Sequence, residues 1–519
     1  MMAFLLYFSL TILHTNDVHA RVLEFTASGS NCSAKDSKEG KCFGGVARRA
    51  TKINEIRAKK KNVLLLDGGD QFQGSLFYTQ YKGKEAAVFM NLLGYDAMAV
   101  GNHEFDDGPP VLASFIKQTN FPVLSANIDA SREPALKNLI NPTTIVTVEG
   151  EKIGIVGMTT IETATASSPG KNISFLPIIS SVQKAVDALT KQGINKIIAV
   201  SHAGFGTDRE TARAVKGLDL IISGHTDTFL SNVDPTAQGP YPVVEKSPEG
   251  KPVLLVSDYT WGKYLGKIDV AFNEEGVPVQ WQGEPILLDN GVKPDAAVLA
   301  KAEEMYKPIA ALHRKIIGET KTALIGDRQM NRFQESNLGN LITEAMLWKT
   351  KERGGQVAIT NGGGIRSGIP VGKISYGTVL EVLPFSNTIH SFDLTGKDLR
   401  KALEHGVAKA ESVQNDGTGR FPQVAGLRYA IDLSKKSGKR ILKVEIKNKE
   451  GAFEPLALGR TYRVVTNDFI AGGGDGYEIF KQRGKNKYDH GILLSEVVAN
   501  YITKHSPVRT AVDGRIKIQ

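Results

Sequence analysis

The stretch Leu10-Thr11-Ile12-Leu13-His14-Thr15-Asn16-Asp17-Val18-His19 decides the fold, because it joins strand-forming residues directly to a carboxylate and an imidazole. Apolar and β-branched residues in a short run favour a buried strand. Four further runs in the first 290 residues end in the same way, namely Val63 to Leu66, Ala97 to Val100, Lys196 to Val200 and Leu218 to Ile222. Because these strands alternate with helical patterns, we predict a layered α/β domain over residues 10–293. In such sheets, sites form beyond the carboxyl ends of the strands, so we expect the five loops to meet at one edge.

Residues of the types that bind divalent cations follow these five strands. In chain order they are Asp17, His19, Asp67, Asp70, Asn102, His103, His202, His225 and Asp227. Carboxylate and imidazole groups that converge from several loops suit hard and borderline divalent cations. One histidine after a strand is more often structural than a ligand, and we interpret His14, within the first strand, as structural. Five such loops in order predict a metal site.

The second part of the chain has a different organisation. Residues 294–315 contain no glycine and carry apolar residues at helical spacing, so they predict one long helix that joins two domains. In the second domain, residues 316–519, we expect a helix over Asn337 to Lys351 and a strand over Val357 to Thr360. A glycine turn and Arg366 follow that strand. Because glycines allow close backbone approach and an arginine fork suits phosphate, this turn is a candidate anion site.

The composition excludes several classes of protein. The 519 residues carry a net charge of +9, but the basic residues are scattered, and their densest run is Arg57 to Lys61. This pattern favours a solvated basic surface over nucleic-acid binding, and a mild positive field would attract an anionic small substrate. No run reaches the roughly 18 apolar residues of a membrane span. Residues 1–9 are apolar without lysine or arginine, and we interpret them as a truncated signal segment or a misplaced start.

The two cysteines, Cys32 and Cys42, lie in a polar loop that contains glycine. A disulfide that closes this short loop would indicate an oxidising compartment. Two free thiols would give no information about the compartment. Free cysteines are usually buried, and this loop is not apolar, so the pattern favours the bridge.

The ordered motifs resemble those of a known family. Asp17-x-His19, Gly69-Asp70, Gly101-Asn102-His103-Glu104, His202 and Gly224-His225 resemble the metallophosphoesterase signature. Phe105, Asp106 and the opening stretch narrow the resemblance to the 5'-nucleotidase family, over nearly the whole chain and closest to the ecto-5'-nucleotidases. The resemblance implies a four-layer α/β/β/α catalytic domain and an α+β substrate-binding domain, with the helix over 294–315 as a hinge. The cysteine loop resembles the disulfide loop of that group, which implies an extracytoplasmic location.

The resemblance also implies two divalent metal ions, zinc first, with manganese, cobalt or magnesium as alternatives. Asp17 and His19 would hold the first ion, and Asp70 would bridge both. Asn102, His202 and His225 would hold the second. The family also contacts the first ion two residues after His225, usually through glutamine, asparagine or histidine, and here that residue is Asp227. We expect a structural role for Asp67.

The expected chemistry is hydrolysis of a phosphate ester. The ions would lower the pKa of a bound water, which would attack the phosphorus. By resemblance, His103 would stabilise the transferring phosphate, and Asp106, three residues later, would orient the imidazole.

The resemblance assigns nucleotide recognition to the second domain. The implied residues are Arg328, Arg332, Asn361, Arg366, Phe385, Asn387, Phe469 and Asp475. The arginines would bind phosphate, and Phe385 and Phe469 would sandwich the base. Asp475 would accept hydrogen bonds from the ribose hydroxyls, and Asn361 would contact the base or its surroundings. Arg328 could equally be a solvated residue.

These assignments predict a hydrolase of nucleoside 5'-monophosphates, with AMP as the first substrate to test. A second interpretation keeps the site but changes the substrate to a nucleotide sugar, a dinucleotide pyrophosphate or a 2',3'-cyclic nucleotide. A third is a nucleotide-binding or adhesion protein without catalysis, against which the intact His103–Asp106 pair argues. The oligomeric state stays open.

Overall fold

The computed structural model describes residues 7–27, 32–385, 387–411 and 418–519. Within them the chain forms two compact units. The first contains residues 77–306 and most of the chain before them, and the second contains residues 307–519. The first six residues of the predicted signal segment lie outside the described residues. The first strand begins at Phe8 rather than at Leu10, because Phe8 pairs with Phe272 of an antiparallel neighbour.

The first unit is built on two sheets. The first sheet contains, in spatial order, Pro278–Gly283, Tyr264–Phe272, Phe8–Thr15, Val63–Asp67, Ala97–Ala99 and Val123–Leu124, with Ile286–Leu287 beside Tyr264–Phe272. The second contains Val243–Lys246, Pro252–Val256, Leu220–Ser223, Ile197–His202, Glu151–Thr159 and Thr143–Val148. Short pairs are Phe25–Thr26 with Cys42–Phe43 and Ile128–Asp129 with Ser174–Phe175. The five predicted strands therefore belong to two sheets, three in the first and two in the second, in agreement with the α/β/β/α layers that the family resemblance implied.

The two sheets share one hydrophobic core. Leu10 and Ile12 of the first strand contribute to this core together with Leu64 and Leu66 of its parallel neighbour. Leu13, one residue out of phase, is buried on the opposite face of the sheet, because successive side chains alternate between faces. A central strand that is buried on both faces explains why the opening stretch is apolar almost throughout.

Helices cover the sheets of the first unit. They are Ala34–Lys38, Val46–Arg57, Leu76–Tyr81, Lys84–Leu93, Pro109–Ile116, Thr163–Ala166, Ile178–Thr190, Phe205–Ala214 and Ala296–Tyr306, with a 3₁₀ turn at His103–Phe105. Ile178–Thr190, for example, packs on the strand Glu151–Thr159 through Val182 and Leu189. The predicted α/β fold class is confirmed.

The second unit has a mixed sheet with helices on both faces. Its strands are, in spatial order, Pro422–Ala425, Val357–Asn361, Thr461–Asn467, Thr388–Thr395 and Lys485–Leu493. A smaller sheet contains Phe453–Pro455, Ile441–Lys447, Leu427–Ile431 and Ile516–Ile518, and Ile316–Thr320 pairs with Gly372–Ser375. The helices are Ala310–Arg314, Arg328–Phe333, Asn337–Thr350, Tyr376–Val382, Gly396–Gly406, Asp468–Ala471, Glu478–Arg483 and Leu494–His505. Val357 and Ile359 face one hydrophobic core while Ala358 between them faces another, so this sheet is covered on both faces.

The single long helix predicted over 294–315 is wrong. The structure has two helices, Ala296–Tyr306 and Ala310–Arg314, separated by three residues that include Pro308. Proline has no N–H to donate and its ring clashes with the carbonyl four residues earlier, so it ends the first helix. The boundary between the two units, after Tyr306, falls at this break.

Two further sequence-based expectations concern the loop cysteines and membrane spans. Cys32 and Cys42 form a disulfide, as the polar loop predicted. Among the helices that the structure describes, none is both long enough and apolar enough to cross a bilayer.

Candidate active site

The loops at the carboxyl ends of the five strands converge in the first unit. In the first sheet, Asp17 and His19 follow the first predicted strand, Asp70 follows the second, and Asn102 and His103 follow the third. In the second sheet, His202 ends the fourth strand, and His225 and Asp227 follow the fifth. Two groups of three side chains place their ligand atoms within 4.8 Å of one another. The groups are Asp17, His19 and Asp70, and Asp70, His202 and His225. Asp70 belongs to both, which is the arrangement a carboxylate adopts between two neighbouring cations.

The orientation of the imidazole rings suits metal ligation. His19 Nδ1 lies 3.0 Å from the carbonyl oxygen of Phe72, and His202 Nδ1 lies 2.8 Å from that of Gly68. A carbonyl oxygen can only accept, so Nδ1 carries a proton, and Nε2 is the ring atom that could bind a cation once it is deprotonated. His202 Nε2 lies 3.0 Å from Asp70 Oδ2, so this ring atom faces the shared carboxylate and donates to it while it carries a proton.

Asn102 and Asp227 complete the surroundings of the two groups. Asn102 Oδ1 lies 2.9 Å from His225 Nδ1, so an amide oxygen joins the second group. Asp227 belongs to neither group of mutually close ligand atoms, but its charge contributes to a raised pKa of Asp17. Oxygen and imidazole donors together suit a borderline divalent cation such as zinc, and also manganese or cobalt.

Strained backbone holds several of these side chains. Asp17, His19, Asp70, His225 and Asp227 all have positive φ, between 49° and 74°. Such left-handed conformations are costly for residues other than glycine and persist only where the surroundings impose them. Here the loops hold each other: the backbone N–H of His19 donates to the Asp70 carbonyl, and that of His225 donates to Asp17 Oδ2.

Glu104 fixes the loop that carries Asp70. One of its carboxylate oxygens accepts the backbone N–H groups of Gly101 and Asp70, and the other accepts those of Gln71 and Phe72. Glu104 is fully buried. Four donors on one buried carboxylate leave the loop little freedom, so the position of Asp70 is set before any cation binds.

The site concentrates negative charge away from water. Burial raises the pKa of Asp17 to about 7, and the carboxylates of Asp227 and Asp70 add to the increase against the opposing effect of His202. Burial also tends to raise the pKa of Asp70, but His202 and His103 outweigh it and hold this pKa well below its usual range. Burial lowers the pKa of His202, yet Asp70 and Asp17 reverse the effect and raise it to about 10. The carboxylates therefore favour positive charge between them.

The predicted pair of His103 and Asp106 lies beside Asp70. His103 Nδ1 is 2.6 Å from Asp106 Oδ2, and the His103 backbone N–H donates to Asp70 Oδ1 at 2.9 Å. Asp106 Oδ1 accepts a hydrogen bond from Ser167 at 2.6 Å. The imidazole is thus oriented by the Asp106 carboxylate, and the backbone of the same residue is anchored to Asp70, which belongs to both groups.

Asp67 and His14 make structural contacts. Asp67 accepts hydrogen bonds from Thr15, Gln71 and the backbone of Gly69. His14 is buried, its Nε2 lies 2.7 Å from the hydroxyl of Tyr241, and burial lowers its pKa to about 3. These contacts account for both side chains without a cation.

The residues predicted for nucleotide recognition lie on neighbouring elements of the second unit. Arg328 and Arg332 lie on the helix Arg328–Phe333, Asn361 ends the strand Val357–Asn361, and Arg366 follows the turn Gly362–Gly364. Phe385 and Asn387 precede the strand Thr388–Thr395. Phe469 lies on the helix Asp468–Ala471, and Asp475 lies in the turn Gly474–Gly476. Gly362 is required because a Cβ there would lie 2.0 Å from the carbonyl oxygen of Asn331, on the arginine-bearing helix. The glycine turn thus packs against the helix backbone at Asn331 and Arg332.

Side-chain contacts link several members of this set. Asn361 Nδ2 donates to Asp475 Oδ2 at 2.7 Å, and Asn467 Nδ2 donates to Asn361 Oδ1 at 3.0 Å. The Arg366 guanidinium lies 5.8 Å from the centroid of the Phe385 ring. Carboxylate, amide, guanidinium and aromatic groups therefore occur together in the second unit.

The comparisons with known proteins agree with this geometry. Residues 10–228 match the sequence model of calcineurin-like phosphoesterases, and residues 316–482 match that of the 5'-nucleotidase C-terminal domain. The chain is 41% identical to snake venom 5'-nucleotidase of Naja atra over 98% of both chains. It is 39% identical to the 5'-nucleotidase of Homo sapiens, over 98% of this chain and 90% of the human one.

The chain belongs to the 5'-nucleotidase family. Its structure superposes on the crystal structure of a 5'-nucleotidase precursor from Thermus thermophilus with a TM-score of 0.93, at 44% identity over 98% of this chain and 99% of that one. The family predicted from the motifs is confirmed. The protein is a metal-dependent phosphoric monoester hydrolase, and membership of the family implies divalent metal ions.

Three residues of this 5'-nucleotidase family member make site contacts that the sequence motifs did not single out. Glu104 lies in the motif Gly101-Asn102-His103-Glu104, and an acidic residue directly after His103 was an available signal. Asn467 lies two residues before Phe469, which the family resemblance assigned to nucleotide recognition. Ser167 had no local signal, because it lies 61 residues from Asp106 in a polar segment.

Removal of divalent cations should destabilise the protein, because imidazole groups alone then have to offset the repulsion between the buried carboxylates. We expect the melting temperature, measured by calorimetry, to fall by roughly 5 °C with a chelator and to recover with zinc or manganese.

The Asp70→Asn variant should lose most of the metal-induced shift, because this carboxylate is shared by both groups. Asp187→Asn, on an exposed helix surface, is the matched control and should keep the full shift. An Asp70→Asn shift as large as that of the control would contradict the assignment.

Proposed function

We propose that the protein hydrolyses nucleoside 5'-monophosphates, AMP first among them, to the nucleoside and inorganic phosphate. The observation that carries this proposal is that Asp70 belongs to both candidate cation groups and that its Oδ2 lies 3.9 Å from His103 Nε2. A phosphate held at the two cations would therefore lie next to the imidazole.

The ligand sets follow from the two groups. Asp17, His19 and Asp70 would hold one ion, with Asp227 as a further oxygen donor. Asp70, Asn102, His202 and His225 would hold the other. Bound there, the ions would act as Lewis acids that lower the pKa of water and neutralise charge on the phosphate oxygens. We propose zinc first, because imidazole donors suit it, with manganese, cobalt or magnesium as alternatives.

His103 would stabilise the charge that develops on the phosphate. The Asp106 carboxylate accepts the Nδ1 proton, so Nε2 is the ring atom that faces away from it and can donate to a phosphate oxygen. A carboxylate partner favours the protonated imidazole, and a cationic donor strengthens the hydrogen bond.

The second unit would supply the nucleoside recognition. Asp475 is held by Asn361 through one oxygen, which leaves the carboxylate oriented to accept from ribose hydroxyls. Phe385 and Phe469 would stack on the base, with Asn387 beside Phe385, and Arg328, Arg332 and Arg366 would bind the anionic part of the nucleotide. Substrates without a base and ribose would lose these contacts.

A panel of phosphate esters tests this proposal. We expect metal-dependent phosphate release from AMP at a kcat/KM at least about 100-fold above that for glycerol phosphate. Glycerol has no base to stack on the aromatic rings and no ribose hydroxyls to donate to Asp475. Strong cleavage of UDP-glucose or 2',3'-cyclic AMP instead would move the assignment to a broader nucleotide hydrolase. No release from any ester by metal-loaded protein would contradict it.

Two variants separate the roles of the two units. His103→Ala should lower kcat for AMP by about 100-fold or more, since it removes a transition-state contact. Asp475→Asn should raise KM by about tenfold and change kcat little, since it weakens ground-state binding of the ribose. Undiminished hydrolysis by His103→Ala would overturn the assigned chemistry.

We also propose an extracytoplasmic location. The Cys32–Cys42 disulfide supports it, because structural disulfides persist in oxidising compartments, and one relative is a venom protein. Thiol titration of the unreduced, denatured protein should find no reactive thiol. Two reactive thiols would remove the support for this location.

A further inference from the structure

Ser167 extends a chain of hydrogen bonds that ends at His103. Its hydroxyl donates to Asp106 Oδ1 at 2.6 Å, while Asp106 Oδ2 lies 2.6 Å from His103 Nδ1. One carboxylate is therefore held at both oxygens, by an imidazole on one side and a hydroxyl on the other. We propose that Ser167 is a positioning residue that acts on His103 through Asp106, an inference that rests on the proposed function.

The turn that carries His103 and Asp106 does not by itself orient the carboxylate. The two residues belong to one tight turn, in which the Asp106 backbone N–H donates to the His103 carbonyl. The terminal torsion of an aspartate is broad, so the plane of its carboxylate needs a second anchor. The side chains of His103 and Asp106 are 13% and 11% exposed, so water reaches them and competes for the same hydrogen bonds. The hydroxyl of Ser167 supplies the anchor and occupies an oxygen that water would otherwise take.

The segment that carries Ser167 leaves the second sheet of the first unit. Asp106 follows a strand of the first sheet, whereas Ser167 follows the strand Glu151–Thr159 of the second and the helix Thr163–Ala166. The start of its segment is tied to the metal-ligand strand, because the Thr160 backbone N–H donates to the His202 carbonyl at 2.8 Å. The Thr163 hydroxyl then donates to the Thr160 carbonyl at 2.8 Å. The hydroxyl that reaches Asp106 therefore comes from a segment of the second sheet, whereas His103 and Asp106 follow a strand of the first.

The chemistry of the contact suits a positioning role. A hydroxyl that donates to a carboxylate forms a charge-assisted hydrogen bond, which is short and strongly directional. Its loss would leave Asp106 free to rotate and to accept water, and His103 would lose part of its orientation toward the phosphate. The nucleoside contacts lie in the second unit, so the effect should fall on kcat and leave KM nearly unchanged.

Steady-state kinetics with AMP tests the proposal. We expect Ser167→Ala to lower kcat by about tenfold with KM within about twofold, and Ser167→Thr, which keeps the hydroxyl, to restore most of kcat. Ser168→Ala, at the exposed neighbouring serine, is the matched control and should match the wild-type rate. In an Asp106→Asn background, Ser167→Ala should lower kcat by less than about twofold, because the hydroxyl then has no carboxylate to orient.

A measurement that does not need turnover separates this proposal from the proposed function. Proton NMR should show the His103 Nδ1 proton as a low-field signal that is absent from His103→Ala. In Ser167→Ala this signal should exchange faster with water, whereas in Ser168→Ala it should not change. The proposal is overturned if Ser167→Ala matches Ser168→Ala in rate or in NMR signal, or if its effect on kcat is equally large in the Asp106→Asn background. Loss of the NMR effect of Ser167 would sink the positioning role alone, while absence of AMP hydrolysis in the wild type would sink the proposed function alone.

Discussion

The site depends on one constraint, which is that several carboxylates are buried together and need positive charge between them. Asp17 and Asp70 are 1% and 2% exposed, and both lie among the same loops. Water cannot screen them there, so each raises the energy of the other unless a cation or a protonated imidazole lies close by. Asp70 is the centre of this arrangement, because both groups of candidate ligands contain it.

The fold brings these carboxylates together because loops from two sheets meet at one site. Three ligand-bearing loops come from the first sheet and two from the second, and the hydrophobic core between the sheets holds them at a constant spacing. Glu104 and the strained backbone of the loops then set the individual side chains. The cost of that strain and of the buried charge is consistent with a site that binding of cations stabilises.

The ligand loops could be predicted from the sequence, because each is encoded locally. An apolar run such as Leu10 to Leu13 followed by Asp17 and His19 defines a strand and the side chains at its end. The division of the five strands between two sheets is not encoded in this way, because strand pairing joins residues far apart in the chain, as Leu10 with Val270 illustrates. The break at Pro308 was missed because apolar periodicity on both sides outweighed one proline. Ser167 was missed because only the folded chain brings it to Asp106.

The number of divalent cations that one chain binds tests the central claim most directly. Metal-free protein would be titrated with zinc and followed by native mass spectrometry, with phosphate release from AMP measured at each step. Two ions per chain, with full activity reached only at the second, is the result that a shared Asp70 predicts. Saturation and full activity at one ion per chain would contradict it.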